Sequence, residues 1–382
     1  MTPRPEAGPD RPYVPPVLQV EDLRVYYHTL RGPVRAVDGV SFSMPPGERL
    51  GLVGESGSGK STIALSLMRM IKPPGRIEGG RVILDGVDLL ALSEEQMRRT
   101  RLADIALVAQ GAMNSLNPVK RVRDQIADAL ASHGGVTASQ NGRVRARDPR
   151  DVVPDLLQRV GLRPSVAGMF PHQLSGGMKQ RVVIAITISL QPKVIVADEP
   201  TSALDVVVQR QIMETLRAVQ EEIGAAVILI GHDMGLMAQF VHRLGVMYAG
   251  ELIELSDVLA IFDEPLHPYT QLLIASLPSL ERKGVFQGIP GLPPSLLAKP
   301  TGCPFRSRCP SAMSVCTTVA PTLREVRPLR WVSCHLYEES GDRRQETGAE
   351  WQDQQAVGGY QPTACWSCHC APVPWSLSPI PS

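Results

Sequence analysis

The chain has 382 residues, 43% hydrophobic and 20% charged, with a formal net charge of +1. That length allows roughly two or three domains and a sizeable core, while the near-neutral charge gives no electrostatic case for a nucleic-acid partner. No run of about 18 uninterrupted apolar residues occurs, so no membrane span is predicted. All seven cysteines lie beyond residue 300, which argues against a disulfide scaffold and for a local thiolate site in a reducing compartment.

Residues 1–16 are polar and proline-rich, with no apolar signal-peptide core, and are expected to be a disordered leader. Val17 to Val25 and Ala36 to Ser43 alternate as strands do, about a turn near Arg31, Gly32 and Pro33. The apolar run Leu50 to Val53 reads as a buried strand and Ile63 to Met70 as a helix. Between them lie Gly54, Glu55, Ser56, Gly57, Ser58, Gly59, Lys60, Ser61 and Thr62. This is the phosphate-loop pattern G-x-x-x-x-G-K-[ST] in the strand–loop–helix context it requires. The glycines let the backbone curl so that successive N–H groups face one anion, and the helix adds its positive end. Lys60 can reach the outer phosphates, and the Ser61 hydroxyl can ligate Mg²⁺. A nucleoside triphosphate is the expected ligand.

Gly79 to Leu84 reads as a strand ending in the turn Asp85–Gly86, and Ser93 to Arg101 as a helix capped by Ser93 with Glu94 and Glu95 in its first turn. Residues 122–170 are mostly helical, interrupted at 134–150 by a polar stretch expected to be a mobile loop. A buried strand follows at Lys193 to Ala197, a helix at Val206 to Glu222 and a β-branched strand at Ala226 to Ile230. Such alternation predicts an α/β fold with a mainly parallel sheet covered on both faces. From Pro265 prolines and then cysteines dominate, and beyond about residue 340 a disordered tail is expected.

Two constellations carry further chemistry. The strand before Asp198 and Glu199 would deliver both carboxylates to the crevice at the end of a parallel sheet. Asp198 suits a Mg²⁺ shell, and Glu199 suits deprotonating an attacking water. Ser175, Gly176 and Gly177 precede a helix-like run and form a second candidate anion site.

Together GESGSGKST (54–62), LSGGMKQR (174–181), VIVADEP (194–200), SALD (202–205) and IGHD (230–233) resemble the nucleotide-binding subunit of an ABC transporter, over roughly residues 17–264. The resemblance implies a P-loop NTPase cassette: a RecA-like parallel-sheet core, an antiparallel β subdomain and a helical subdomain over about 115–190. It implies a head-to-tail dimer of cassettes, in which Ser175, Gly176 and Gly177 of one copy close on the γ-phosphate held by the other. It assigns Gln110 to sensing Mg²⁺ and water, Asp198 to the metal, Glu199 to the general base, His232 to the γ-phosphate and Asp205 to the dimer interface. Tyr27, with Tyr26 as the alternative, falls where the family stacks an aromatic on adenine. Gly111 and Ala112 stand where aspartate and proline are usual, and Gly231 where threonine is common.

HPYTQLLIASLPSL (267–280), IPGLPPSLL (289–297) and GCPFRSRCP (302–310) resemble the C-terminal extension of dipeptide and oligopeptide importer ATPases, here placed at 265–338. Cys303, Cys309, Cys316 and Cys334 follow the spacing C-x₅-C-x₆-C-x₁₇-C, unlike the paired C-x₂-C of structural zinc sites. Four thiolates can hold a [4Fe–4S] cluster, which the resemblance favours over zinc or unligated thiols. Cys365, Cys368 and Cys370 receive no assignment. The implied partners are a second ATPase subunit, two transmembrane permeases and, indirectly, an extracytoplasmic solute-binding protein. The implied location is peripheral, on the cytoplasmic face of the inner membrane. Import of nickel chelates or other small solutes by the same machine is the rival reading. A soluble ABC ATPase acting on DNA or ribosomes would want a long coiled-coil insertion or two fused cassettes plus a basic face, and none is seen in this sequence.

Overall fold

The computed structural model of the chain describes residues 14–133, 136–140, 143–277 and 288–337. Most of the expected leader, the tail beyond Tyr337 and with it Cys365, Cys368 and Cys370 lie outside the described residues.

Every residue of the strands Arg49–Val53, Val194–Asp198 and Ala226–Ile230 is buried. Alternate side chains serve two cores. Val227 and Leu229 enter one, whereas Ala226, Ile228 and Ile230 enter the other. This is why these runs are continuously apolar instead of alternating, and each fully buried Val, Leu or Ile contributes roughly 1.5–3 kcal/mol.

The strands form an eight-stranded sheet in the order 324–327, 330–332, 251–257, 243–248, 49–53, 226–230, 194–198, 105–108. From 243–248 onward all neighbours pair parallel, and the other pairings are antiparallel. A second, four-stranded antiparallel sheet contains Gly32–Met44, Leu18–Thr29, Gly75–Leu84 and Val87–Asp88. The helices Val122–Ala131, Val153–Arg159 and Gly176–Ile188 occupy the region expected to be helical. Ser93 caps Glu94–Thr100 as predicted, in a reciprocal capping box with Gln96.

One expectation is overturned. The stretch 134–150 is largely a hairpin, with Val136–Gln140 paired antiparallel to Arg143–Arg147. Its signal was present in the sequence as Asn141–Gly142 between two alternating runs, the strongest short-range hairpin pattern.

The cysteine-bearing segment is built into the cassette. Arg330–Val332 extends the core sheet, with Glu254 opposite Val332 and Leu255 opposite Trp331. Lys299 Nζ pairs with Asp38 at 2.7 Å and Glu251 at 2.6 Å. The described chain up to Leu336 is one compact unit. The turn leading into the helix Pro268–Ala275 is fixed by the fully buried Glu254, which accepts the backbone N–H groups of Leu266 and His267 at 2.8 and 2.9 Å. His267 Nδ1 in turn accepts the Tyr269 N–H at 3.0 Å. Among the described residues no helix is long and apolar enough to cross a membrane.

Candidate active site

Three parallel strands end side by side, at Val53, Asp198 and Ile230, so the loops that follow share one edge of the sheet. Gly54 and Gly59 are held at φ +145° and +102°, and a Cβ on either would lie 2.1 Å from the Met247 carbonyl oxygen or 2.2 Å from that of Ala36. Only glycine fits there, and the loop is drawn tight over the start of the helix Lys60–Leu67. Lys60 Nζ bridges the loop from within, donating to the Gly54 and Glu55 carbonyls at 2.8 and 2.9 Å and to Ser58 Oγ at 3.1 Å. Burial lowers its pKa, while the Glu199, Asp198 and Glu55 carboxylates act in the opposite sense. Ser56, Gly57 and Ser61 are exposed along the loop, and Thr62 is half-buried.

Opposite the loop, Ser61 Oγ donates to Asp198 Oδ1 at 3.2 Å. Asp198 is buried, and that burial raises its pKa. A buried carboxylate beside a hydroxyl is a donor set suited to a hard dication. Glu199 has a left-handed backbone at φ +46°, uncommon for a residue with a side chain and concentrated at functional sites. Its N–H donates to the Ile230 carbonyl at 2.9 Å. Gln110 Nε2 donates to Glu199 Oε2 at 2.8 Å, and His232 Nδ1 lies 3.3 Å from Oε1. The structure therefore brings together six predicted residues from four separate stretches: Lys60 and Ser61 on the loop, Gln110, the Asp198–Glu199 pair, and His232.

The other predicted residues lie elsewhere. Ser175 caps the helix Gly176–Ile188, its Oγ accepting the Met178 N–H at 3.3 Å, with Ser175 and Gly176 exposed and Gly177 half-buried. Asp205 caps Val206–Ile223 by accepting the Val208 N–H at 3.0 Å. Tyr26 donates its hydroxyl to Asp38 at 2.7 Å. The half-buried Tyr27 lies against Gly75, where an added Cβ would stand 2.7 Å from the ring.

Behind the loop stands a group the sequence reading missed. Tyr269 accepts the Glu55 N–H through its hydroxyl at 2.9 Å, and Arg308 grips both Glu55 carboxylate oxygens at 2.8 Å. The rings of Tyr248, Tyr269 and Phe305 pack together, with centroids 4.7–5.4 Å apart. Nothing in the sequence couples an arginine at 308 to a glutamate at 55, because the pairing exists only across the fold.

The four cysteines share one neighbourhood. Cys303 and Cys316 are buried, Cys309 and Cys334 half-buried, and every pair lies within electrostatic reach. Burial pushes the Cys303 thiol up to about 11 and that of Cys334 up to about 12. Among the described residues, however, no three His, Cys, Asp or Glu side chains gather as the ligands of a metal ion. The thiols do not fit a zinc ion, which needs four donors closed on one point, and the expected cluster has no formed ligand shell to support it.

Residues 37–202 match the ABC transporter family, and residues 253–316 match the C-terminal region of oligopeptide/dipeptide transporters. Among solved structures, the dimeric structure of a bacterial ABC transporter cassette is 27% identical, with a TM-score of 0.54, covering 63% of this chain and 98% of that one. A cassette dimer in a post-hydrolysis state bound to ADP and Pi is 26% identical at the same TM-score and coverage. Fold and site thus define an ABC cassette, an ATP-hydrolysing P-loop NTPase. The dipeptide transport ATP-binding protein DppD of Escherichia coli is 41% identical over 322 residues, 84% of this chain and 96% of that one. The oligopeptide transport ATP-binding protein AppF of Bacillus subtilis is 39% identical over 332 residues, 84% and 97% of the two chains. The chain belongs to the dipeptide and oligopeptide importer family of ABC-transporter ATP-binding subunits.

Proposed function

We propose that this protein hydrolyses ATP to drive import of small peptides, acting as a head-to-tail dimer of cassettes against two membrane-embedded permeases. The observation that carries the reading is Glu199, bracketed by Gln110 and His232 and facing the phosphate loop across the Ser61–Asp198 pair. The peptide cargo rests on the names of the relatives and on the importer-type C-terminal region.

In this reading Lys60 and the loop N–H groups hold the β- and γ-phosphates. Glu199 takes a proton from the water that attacks the γ-phosphorus, and the bond to the ADP oxygen breaks to give ADP and phosphate. Gln110 and His232 keep the carboxylate aimed, and His232 also donates to the γ-phosphate. Ser61 and Asp198 would hold Mg²⁺, which supplies charge neutralisation on the phosphates. Ser175, Gly176 and Gly177 of a second copy complete the site, Asp205 lies at the join between copies, and Tyr27 stacks on adenine. Membrane association comes through the permeases, and a solute-binding protein outside acts only indirectly. The net charge of +1 supports a machine without a nucleic-acid partner.

Cys303, Cys309, Cys316 and Cys334 are the residues that would hold a [4Fe–4S] cluster. What supports it is the likeness to the importer-type C-terminal region, matched over residues 253–316, together with four thiols in one neighbourhood. Its role would be structural, fastening a proline-rich segment.

The decisive variant is Glu199→Gln. It should keep ATP binding and lose turnover by on the order of 10²- to 10⁴-fold. Steady-state hydrolysis within about twofold of wild type would remove Glu199 from the role of base.

A further inference from the structure

The phosphate loop carries a carboxylate, Glu55, at its second position, in a segment whose purpose is to attract an anion. Glu55 is one of the charges felt by the Lys60 ammonium, so it lies within electrostatic reach of the group that meets the phosphates. Left unpaired, it would oppose the triphosphate at close range.

Arg308 answers that charge from the far end of the chain. Its side chain is 3% exposed and forms a two-pronged pair with Glu55, both prongs 2.8 Å long. The other contacts lock the guanidinium. Nε donates to the Pro290 carbonyl at 2.8 Å, one terminal nitrogen also to Tyr248 Oη at 3.2 Å, and the other also to the Ile289 carbonyl at 3.3 Å. All five N–H donors of the guanidinium are thus engaged. The planar face lies 5.8 and 5.9 Å from the Tyr248 and Phe305 ring centroids. Such a fork serves a fixed orientation that a lysine could not reproduce. Arg308 is not the sole attachment of the extension, because Lys299 also joins it to the cassette through Asp38 and Glu251.

We propose that Arg308 is a positioning residue of the ATP site: by neutralising and orienting Glu55, it sets the affinity of the phosphate loop for the triphosphate. Tyr269 completes the hold by fixing the Glu55 N–H. Because Arg308 directly precedes Cys309, the conformation of the cysteine segment sets how well the loop is held.

The inference rests on residues 54–62 being the phosphate loop, and the test separates the two. A fluorescent ATP analogue is titrated against the full-length protein and its variants. Arg308→Met should weaken binding about tenfold, the equivalent of about 1.4 kcal/mol, with the loss in turnover falling on KM more than kcat. Measured against Glu55→Gln as the reference, the same Arg308→Met change should cost less than about twofold, since no carboxylate remains to neutralise. Arg308→Lys, which keeps the charge and loses the fork, should weaken binding about threefold and serves if Arg308→Met folds poorly. Unchanged affinity in a folded Arg308 variant would overturn the proposal. So would an equal loss in the Glu55→Gln background, which would make Arg308 a structural staple alone. Lys60→Ala is the control: if it binds the analogue normally, the loop assignment itself fails. Loss with Lys60→Ala but not with Arg308→Met defeats only the role of Arg308.

Discussion

The strand ends that hold Lys60, Asp198, Glu199 and His232 and the extension that holds Arg308 and the cysteines contribute to one site by opposite means. At the strand ends, buried parallel strands fix the backbone, and short contiguous motifs place the chemistry on it. In the extension, little regular structure exists between residues 288 and 323, and order comes from isolated side-chain anchors, Lys299 and Arg308 chief among them. Reactive groups sit where the backbone is already rigid, whereas an added segment acts by reaching into that rigid part from outside.

The largest effect should come from Ser175, which caps the helix Gly176–Ile188 and would complete the strand-end site of a second copy. Ser175→Arg leaves each chain its own phosphate loop, so nucleotide binding by the isolated subunit should persist. A bulky cation in place of a small hydroxyl should abolish hydrolysis at the site completed by that residue, by on the order of 10²-fold or more. In a dimer of one variant and one wild-type copy, single-turnover measurements should show one active site and one silent site. Equal loss at both sites would mean that Ser175 does not act across the dimer.

A smaller effect concerns the turn that anchors the extension. His267 is fully buried, and that burial lowers its pKa from 6.5 to about 3. The folded protein therefore binds this proton less readily than the unfolded chain, and the penalty is absent at neutral pH. It grows as pH falls below about 6.5 and reaches about 2 kcal/mol near pH 5. Denaturant unfolding at pH 7 and pH 5 should show that loss in the wild type, and His267→Asn, which retains a capping acceptor, should lose less. The neighbouring Glu254 is present in both proteins, so the difference isolates the imidazole. Identical pH slopes would show that His267 is not buried in the neutral form.

The smallest effect links the halves. Cys309→Ser should loosen residues 300–335 to proteolysis and, through the adjacent Arg308, weaken nucleotide binding by about threefold, roughly 0.7 kcal/mol. A protease-labile extension with unchanged nucleotide affinity would show that the anchors act independently of the cysteines.

The strand-end half was legible in the sequence because its information is local. GESGSGKST between an apolar strand and a helix, and Asp198–Glu199 at the end of a buried run, each carry their chemistry and context within ten or so residues. Even Gln110 and His232, far apart in the chain, follow strands whose ends must meet once the sheet is parallel. The pairing of Val136–Gln140 with Arg143–Arg147 is hard to see in the sequence, because glycine and arginine dominate the stretch and suggest a polar loop. Arg308 and Tyr269 escaped for a deeper reason. Their partner, Glu55, lies 253 residues from Arg308 and 214 from Tyr269, and neither residue type in a proline-rich stretch marks a distant contact. The strands Arg324–Arg327 and Arg330–Val332 were hidden likewise, since so short a pair holds only by adding to an existing sheet edge.

The most direct test of the account is the identity of the nucleotide retained by Glu199→Gln. The purified variant is incubated with Mg²⁺ and ATP, freed of unbound nucleotide, denatured, and its bound nucleotide separated by chromatography. With Glu199 as the base that activates water, the variant should retain intact ATP and run as a dimer, while wild type treated identically retains ADP or nothing. Recovery of ADP from the variant at the wild-type rate would contradict the account, because hydrolysis would then proceed without the carboxylate that Gln110 and His232 hold in place.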